Sequence, residues 1–545
     1  VASISEQVAA LLESKTSFVV DAGAGSGKTR TLVEALSYLL ATDAQTLLKK
    51  GQRIVCITYT NVAANEITAR INADPLVRVS TIHDFLWHVI SSFQSELKVV
   101  MHAWNDAAGA KKTEDLDLSG LQIEYWQYPR KYDLGKLGHD DIIELSAMLF
   151  ERYPKLAKLV ADRFPIVFVD EYQDTNPRTI DLLLDSLLTP NAGRMTIGLF
   201  GDFMQKIYNT GVGRVERAFL SSIQKTENYR CPVAVINVLN NLRADLQQVP
   251  GGANAQGEAT FTYAAADDVD AFDKVWESLK LAGWSDNETK ILMLTRRGIA
   301  DSLDWPNLLK VYSDRHGFGV DSLMTRDDEF GDLFATVELL ADAYAAGKYG
   351  EFLSLCADSG LRVQTHSHKQ QVADQIAKLN DLRANGSVGE VIDFVLDNHL
   401  VRKPRRLETL EERIASGDDA ERAERDKRFL ESLRGLPYSE VVKFEEYLND
   451  KTPFSTNHGV KGEEYPNVLV VLDDRLWNQY KFESVLSGDT TKNQYERSLN
   501  LLYVACSRAR DRLVVLALSP MNTASISGAE RIFGAGQVLP VKDFV

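Results

Sequence analysis

Apolar runs alternate with amphipathic stretches through the first 230 residues. Ser17–Val20, Arg53–Thr58 and Ile166–Val169 are rich in β-branched and apolar residues and read as buried parallel strands. Their alternation with helical periods predicts a doubly wound α/β sheet. Between Asp84 and Pro165 the pattern turns irregular, broken by His102, Trp104, Trp126 and the run Y-P-R-K-Y-D, and an inserted subdomain is expected there. A second α/β pattern opens after Arg230 and contains the strand candidate Lys290–Thr295. From Gly298 to Asp450 the periodicity is mostly helical, and strand patterns return at Val468–Leu472 and Leu513–Leu518. The helical block therefore reads as an insertion in the second α/β domain. The expected boundaries are 1–84 with 165–230, an insertion at 85–164, then 231–297 with 451–545, and an insertion at 298–450. The runs R-K-P-R-R-L-E-T-L-E-E-R and A-E-R-A-E-R-D-K-R place opposite charges three or four residues apart, as on a solvated helix face. A contact with DNA or protein stays open beside that reading.

At 545 residues the chain exceeds what one core supports, and two to four domains are expected. With 44% hydrophobic and 25% charged residues it has the balance of a globular protein, which excludes disordered and fibrous classes. No apolar run reaches the roughly 18 residues of a membrane helix, and the expected location is cytoplasmic. Cys56, Cys231, Cys356 and Cys506 are too scattered for a zinc site or a disulfide framework and read as reduced, buried thiols. The formal charge of −16 argues against indiscriminate nucleic-acid binding, which Lys and Arg drive by displacing counterions. It leaves room for a local basic channel.

The run A-G-A-G-S-G-K-T, Ala22 to Thr29, follows an apolar strand and precedes the helix-like T-L-V-E-A-L-S-Y-L-L. Small residues at Gly23, Ala24, Gly25, Ser26 and Gly27 let backbone N–H groups turn inward around phosphates at the positive end of a helix. Lys28 would neutralise the β and γ phosphates, and Thr29 would offer its hydroxyl to Mg²⁺. Ala22 stands where this pattern usually has glycine, a change that a negative φ tolerates. Further on, P-I-V-F-V-D-E-Y-Q-D ends an apolar strand in Asp170 and Glu171. Beside the loop, Asp170 would hold the metal and Glu171 would orient or deprotonate the attacking water, which implies hydrolysis beyond binding.

At D-E-Y-Q-D-T-N the chain resembles the UvrD, PcrA and Rep family of superfamily 1 DNA helicases, and the resemblance runs in order across almost the whole length. I-T-Y-T-N-V-A-A-N-E-I and V-S-T-I-H-D-F look like its motifs Ia and Ib, and G-D-F-M-Q-K-I-Y and E-N-Y-R like motifs III and IV. T-N-H-G-V-K-G-E-E-Y and L-L-Y-V-A-C-S-R-A look like motifs V and VI. The resemblance implies two RecA-like parallel-sheet motor domains, each with an inserted, mainly helical subdomain. It implies ATP as the nucleotide, with Gln7 reading adenine, Arg30 on the adenine side, Tyr229 stacking and Glu464 at the ribose. Gln205, Arg230 and Arg508 would contact the γ-phosphate, Arg508 from the second motor domain, so that hydrolysis is linked to domain closure. It implies a grip on DNA through Thr58, Tyr59, Asn61, Thr81, His83, Tyr208, Thr456 and His458, and movement 3′ to 5′ along single strands. Thr210 stands where the family has a stacking tryptophan, which puts processive unwinding in doubt; a regulatory, DNA-sensing ATPase subunit is the alternative. The compact form also resembles the helicase subunit of Gabija-type antiphage systems, which acts beside an OLD-type ATPase-nuclease, with repair or replication restart the competing roles.

Overall fold

Near-continuous apolar runs become central strands because both of their faces are covered. Phe18–Ala22 (β1), Ile54–Thr58 (β2), Val77–Thr81 (β3), Ile166–Asp170 (β4), Thr196–Gly201 (β5) and Ser221–Lys225 (β6) form a sheet in the order β3-β2-β4-β5-β1-β6. Every neighbouring pair in it is parallel. A second sheet contains Glu258–Tyr263 (β7), Thr289–Met293 (β8), Phe454–Thr456 (β9), Tyr465–Leu472 (β10), Ala509–Ala517 (β11) and Val538–Pro540 (β12). Its order is β9-β8-β10-β11-β7-β12. Counted along the chain, both sheets read third, second, fourth, fifth, first, sixth. The protein is thus an α/β chain with two parallel sheets of one topology. This computed structural model describes residues 2–545 except 108–112, 127–129, 208–209, 267, 316–318, 358, 360, 362, 364, 417–418, 457–461 and 476–478.

The chain divides into two compact units: residues 1–275, 460–468 and 479–545, and residues 276–459 and 469–478. In the first unit the side chains of β2 alternate between two cores, as the period of a strand requires. Ile54 and Cys56 join Phe18, Phe168, Phe200 and helix residues Leu32, Leu36 and Leu39. Val55 and Ile57 join Val167, Val169, Leu199 and residues of the irregular stretch, among them Phe85, Leu86, Leu145 and Leu149. That stretch is mainly helical, with helices at Ile82–Ile90, Gln94–Ala107, His139–Arg152 and Pro154–Arg163. Its broken pattern has a local cause, a ladder of Glu124–Tyr125 with Lys136–Leu137 in which Lys136 Nζ lies 3.9 Å over the Trp126 ring.

The second unit is largely helical, from Arg296–Ser302 to Tyr438–Leu448. Trp305 is fully buried against Phe444 and Tyr447. The charged runs form helices Arg405–Ser416 and Ala420–Arg434, which bury only a narrow face: Leu407 and Leu410 on one, Ala423, Phe429 and Leu433 on the other. Arg413 joins them through Asp426 at 2.6 Å. All four cysteines are buried and unbridged. Among the described residues no helix is long and apolar enough to cross a membrane.

Candidate nucleotide site

The loop between β1 and the helix Lys28–Thr42 turns on two left-handed residues, Gly25 (φ 71°) and Gly27 (φ 77°), where a side chain would be strained. A Cβ on Gly25 would also lie 2.7 Å from Asn228 Oδ1. Ala22 lies outside the positive-φ positions, so its Cβ is accommodated. The loop is pinned by its surroundings. Gly23 N–H donates to Lys225 O at 3.2 Å, Tyr229 N–H to Gly25 O at 2.9 Å, and Asn228 Nδ2 and Gln248 Nε2 to Ala24 O at 2.9 and 2.8 Å. Ser26 Oγ is buried with no hydrogen-bond partner, an orphaned polar atom inside the cradle. That donor, the loop backbone and Lys28 suit a phosphate chain.

β5 lies between β1 and β4 in the sheet, and the end of β4 stands beside the loop. Lys28 spans the interval, its Nζ 2.6 Å from Glu171 Oε1. Burial alone would lower the Lys28 pKa, but Glu171, Asp170 and Asp202 outweigh it and raise it, so the ammonium is fixed. Glu171 has a left-handed backbone (φ 50°), which costs free energy and aims its side chain back at the loop. Gln173 Nε2 donates to its Oε2 at 2.6 Å. Asp170 is buried at the end of β4, and its Oδ1 accepts the Glu171 N–H at 3.1 Å. Among the described residues no group of three His, Cys, Asp or Glu side chains could hold a metal. A cation held by Asp170 and Thr29 would draw its other ligands from phosphate and water, as Mg²⁺ does.

β5 ends in the segment that carries Asp202 and Gln205, and Gln205 Nε2 donates to Asp202 Oδ2 at 3.0 Å. Arg508, fully buried, donates through Nη2 to Gln205 Oε1 at 3.4 Å and through Nε to Val504 O at 3.0 Å. Burial first, then the nearby Arg230, lowers its pKa to about 10. A buried guanidinium with a second, partly exposed one beside it suits an anion. Arg230 Nε donates to Glu464 Oε2 at 2.8 Å and its Nη1 to Ser507 O at 3.3 Å. Gly25, Gly27, Tyr229, Arg230, Glu464 and Arg510 line a cleft of 620 Å³. The Tyr229 ring lies over Gly251, where a Cβ would approach its Cε1 to 2.7 Å.

Two predicted nucleotide residues are turned elsewhere. The Gln7 amide donates to Ala2 O at 2.9 Å, and Arg30 is exposed and paired with Glu34 at 2.8 Å. Two residues absent from the sequence reading lie at the centre instead. Arg243 Nη1 donates to Asp202 Oδ1 at 3.1 Å and to the Tyr503 hydroxyl at 2.9 Å, and Ala24 N–H donates to that hydroxyl at 3.1 Å.

A family profile described as an AAA domain matches residues 5–211. The chain is 24% identical to "Gabija protein GajB" of Bacillus cereus, over 94% of both chains. It is 21% identical to "ATP-dependent DNA helicase PcrA" of Staphylococcus aureus and 22% to that of Staphylococcus epidermidis, in each case over 94% of this chain and 82% of the relative. The chain is UvrD/PcrA-like. It is a nucleotide-binding ATP hydrolase similar to the superfamily 1 helicases.

In this UvrD/PcrA-like chain the residues expected to grip DNA stand at strand ends and helix starts. Thr58 ends β2 with its Oγ1 donating to Thr60 O at 3.0 Å; Tyr59 is exposed; Asn61 is exposed and opens the helix Asn61–Arg70. Thr81 ends β3 and caps the helix Ile82–Ile90. The His83 ring meets that of His139 edge-on at 4.6 Å, and burial, followed by His139, lowers the His83 pKa to about 4. In the other compact unit, Thr456 ends β9. Tyr208 and His458 lie outside the described residues, and Thr210 is exposed.

Proposed function

We propose that the chain is an ATP-dependent, Mg²⁺-requiring DNA translocase and helicase that moves 3′ to 5′ on single strands. The supporting observation is the set of contacts beside the phosphate loop: Lys28 on Glu171, the buried Arg508 on Gln205, and Arg230 lining a cleft with Gly25 and Gly27. The charge that spreads over a γ-phosphate during phosphoryl transfer would be met by these fixed donors. Lys28 on its way to the phosphates would release Glu171, which then faces the attacking water while Asp170 and Thr29 hold the metal. Tyr229 would take the adenine, Glu464 the ribose, and Gln7 and Arg30 would turn inward on binding. The motor portions are 1–84 with 165–230 and 231–297 with 451–545, the insertions 85–164 and 298–450. Thr58, Tyr59, Asn61, Thr81, His83, Tyr208, Thr456 and His458 form the DNA track. ATP turnover measured with and without single-stranded DNA tests this: a rise of about tenfold or more is expected, and no rise overturns it.

The match to a Gabija protein along 94% of both chains, with Thr210 at the tryptophan position, favours a second reading. In it the chain is a DNA-sensing ATPase that controls an OLD-type nuclease in antiphage defence and unwinds little by itself. Strand displacement by the isolated chain, with and without such a nuclease, separates the two. Robust unwinding by the chain alone removes the second.

A further inference from the structure

We propose that Tyr503 and Arg243 are positioning residues for ATP hydrolysis: with Asp202 they fix the Gly23–Ala24 peptide of the phosphate loop and tie it to the helix that leads to Arg508. The inference rests on the ATP-hydrolysing reading above and adds to it, since neither residue belongs to the groups assigned to phosphate, metal or base.

The Gly23–Ala24 peptide is held at both ends. The Ala24 N–H donates to the Tyr503 hydroxyl at 3.1 Å, and the Gly23 carbonyl accepts from the Ser26 N–H at 3.2 Å; the next peptide is held through the Ala24 carbonyl, which accepts from Asn228 and Gln248. The hydroxyl also accepts from Arg243 Nη1 at 2.9 Å and donates to Asp202 Oδ2 at 3.3 Å. Arg243 in turn donates to Asp202 Oδ1 at 3.1 Å and to both oxygens of Asp245, at 3.1 and 2.6 Å. The Arg243 and Asp202 side chains are each 1% exposed. Burial alone would lower the Arg243 pKa, but Asp202, Tyr503 and Asp245 outweigh it and raise it; burial also pushes the Tyr503 hydroxyl up. Arg243 therefore stays cationic and Tyr503 stays neutral. With two donors aimed at the phenol oxygen, its single proton has one place to go, Asp202, and the direction of every bond in the group is fixed.

A phosphate loop works through the direction of its peptide dipoles. Gly23, on one side of the Gly23–Ala24 peptide, has no side chain to stop it from rotating. Rotation would exchange the N–H and C=O presented inside the loop. Tyr503 prevents this from a position 479 residues away in sequence. It sits on the helix Tyr495–Cys506, which ends two residues before Arg508. Asp202 extends the group to Gln205, which meets Arg508. One helix thus holds the loop in shape and leads to the guanidinium.

The test uses the full chain and the substitutions Tyr503→Phe and Arg243→Gln, singly and together, in ATP hydrolysis at saturating single-stranded DNA, binding of a fluorescent ADP, and thermal unfolding without nucleotide. Losing the hydroxyl leaves a buried N–H unpaired, so Tyr503→Phe is expected to raise KM for ATP about 5- to 50-fold and weaken ADP binding in parallel, with kcat changed less than about threefold. The unfolding midpoint should stay within ~3 °C of the parent. The double variant should be no worse than the weaker single one, because both break the same group. Parental KM and ADP affinity in Tyr503→Phe overturn the inference, as do single effects that multiply. A midpoint that falls in step with the rise in KM also overturns it, in favour of a purely structural role. Undiminished hydrolysis in Lys28→Ala overturns the ATPase reading and this inference with it, whereas a dead Lys28→Ala beside a normal Tyr503→Phe overturns this inference alone.

Discussion

β4 and β10, each the fourth strand of its sheet along the chain, hold the same place in sheets of the same order, and a buried aspartate marks the end of each, Asp170 and Asp473. Their surroundings diverge. Arg475 closes on Asp473 with Nε and Nη2 each at 2.8 Å, and its N–H adds a third bond at 3.0 Å. Asp170 stands close enough to Lys28 to raise its pKa, beside a glutamate in left-handed backbone. The first strands diverge in the same way. β1 is followed by G-A-G-S-G-K-T, and β7 by three alanines, Ala264 to Ala266, which offer neither a glycine turn nor a cation. Topology supplies equivalent places at strand ends, and the residues standing there decide whether chemistry follows.

The largest expected effect comes from removing what only the first sheet has. Lys28→Ala should lower ATP turnover by about 10²- to 10³-fold, and Glu171→Gln should lower it to a similar extent while nucleotide affinity, read by fluorescence titration, stays within about threefold. Normal turnover in Glu171→Gln would remove that residue from the role of base. A paired substitution sharpens the comparison. Asp170→Ala should cost turnover about 100-fold, whereas Asp473→Ala should leave it within about twofold and lower stability by ~1 kcal/mol, since Arg475 is largely exposed. Equal inactivation by both would break the comparison. The smallest effect lies on the third strands, which end in Thr81 and Thr456. His83, two residues beyond Thr81, meets His139, with Asp84 and Asp140 near, and its pKa is lowered from 6.5 to about 4. The unfolded chain takes up this proton as pH falls through 6.5, whereas the folded chain resists until about 4, so stability should fall across that window. Urea midpoints at pH 7 and pH 5 should differ less in His83→Gln than in the parent; an unchanged difference would deny His83 that role.

The strands were legible because central parallel strands are apolar on both faces. Their ends shifted by a residue or a few, as at β10, which begins at Tyr465 where the apolar run alone suggested Val468. The phosphate loop was legible because a backbone nest needs small residues in series, and Asp170 and Glu171 because a carboxylate pair closes an apolar run. Arg243 and Tyr503 carried no such mark. An arginine in N-N-L-R-A-D reads as a surface charge and a tyrosine in L-L-Y-V-A-C as core, and their partnership spans 260 positions. The interposed β5 was equally hidden, since strand order is a matter of crossovers. Gln7 shows the converse: its place along the chain was clear, but the rotamer that turns its amide to Ala2 was not.

Gly251, beneath Tyr229, has a consequence for how the cleft is entered. Because the backbone there comes close enough to exclude a Cβ, one face of the phenol ring is permanently occupied, while the residue as a whole remains 57% exposed. The ring is a shelf backed by the Gly251 backbone, with Lys225 Nζ 5.8 Å over it. A planar guest must come from the side away from Gly251, and bulk added at position 251 would push the shelf itself out of line.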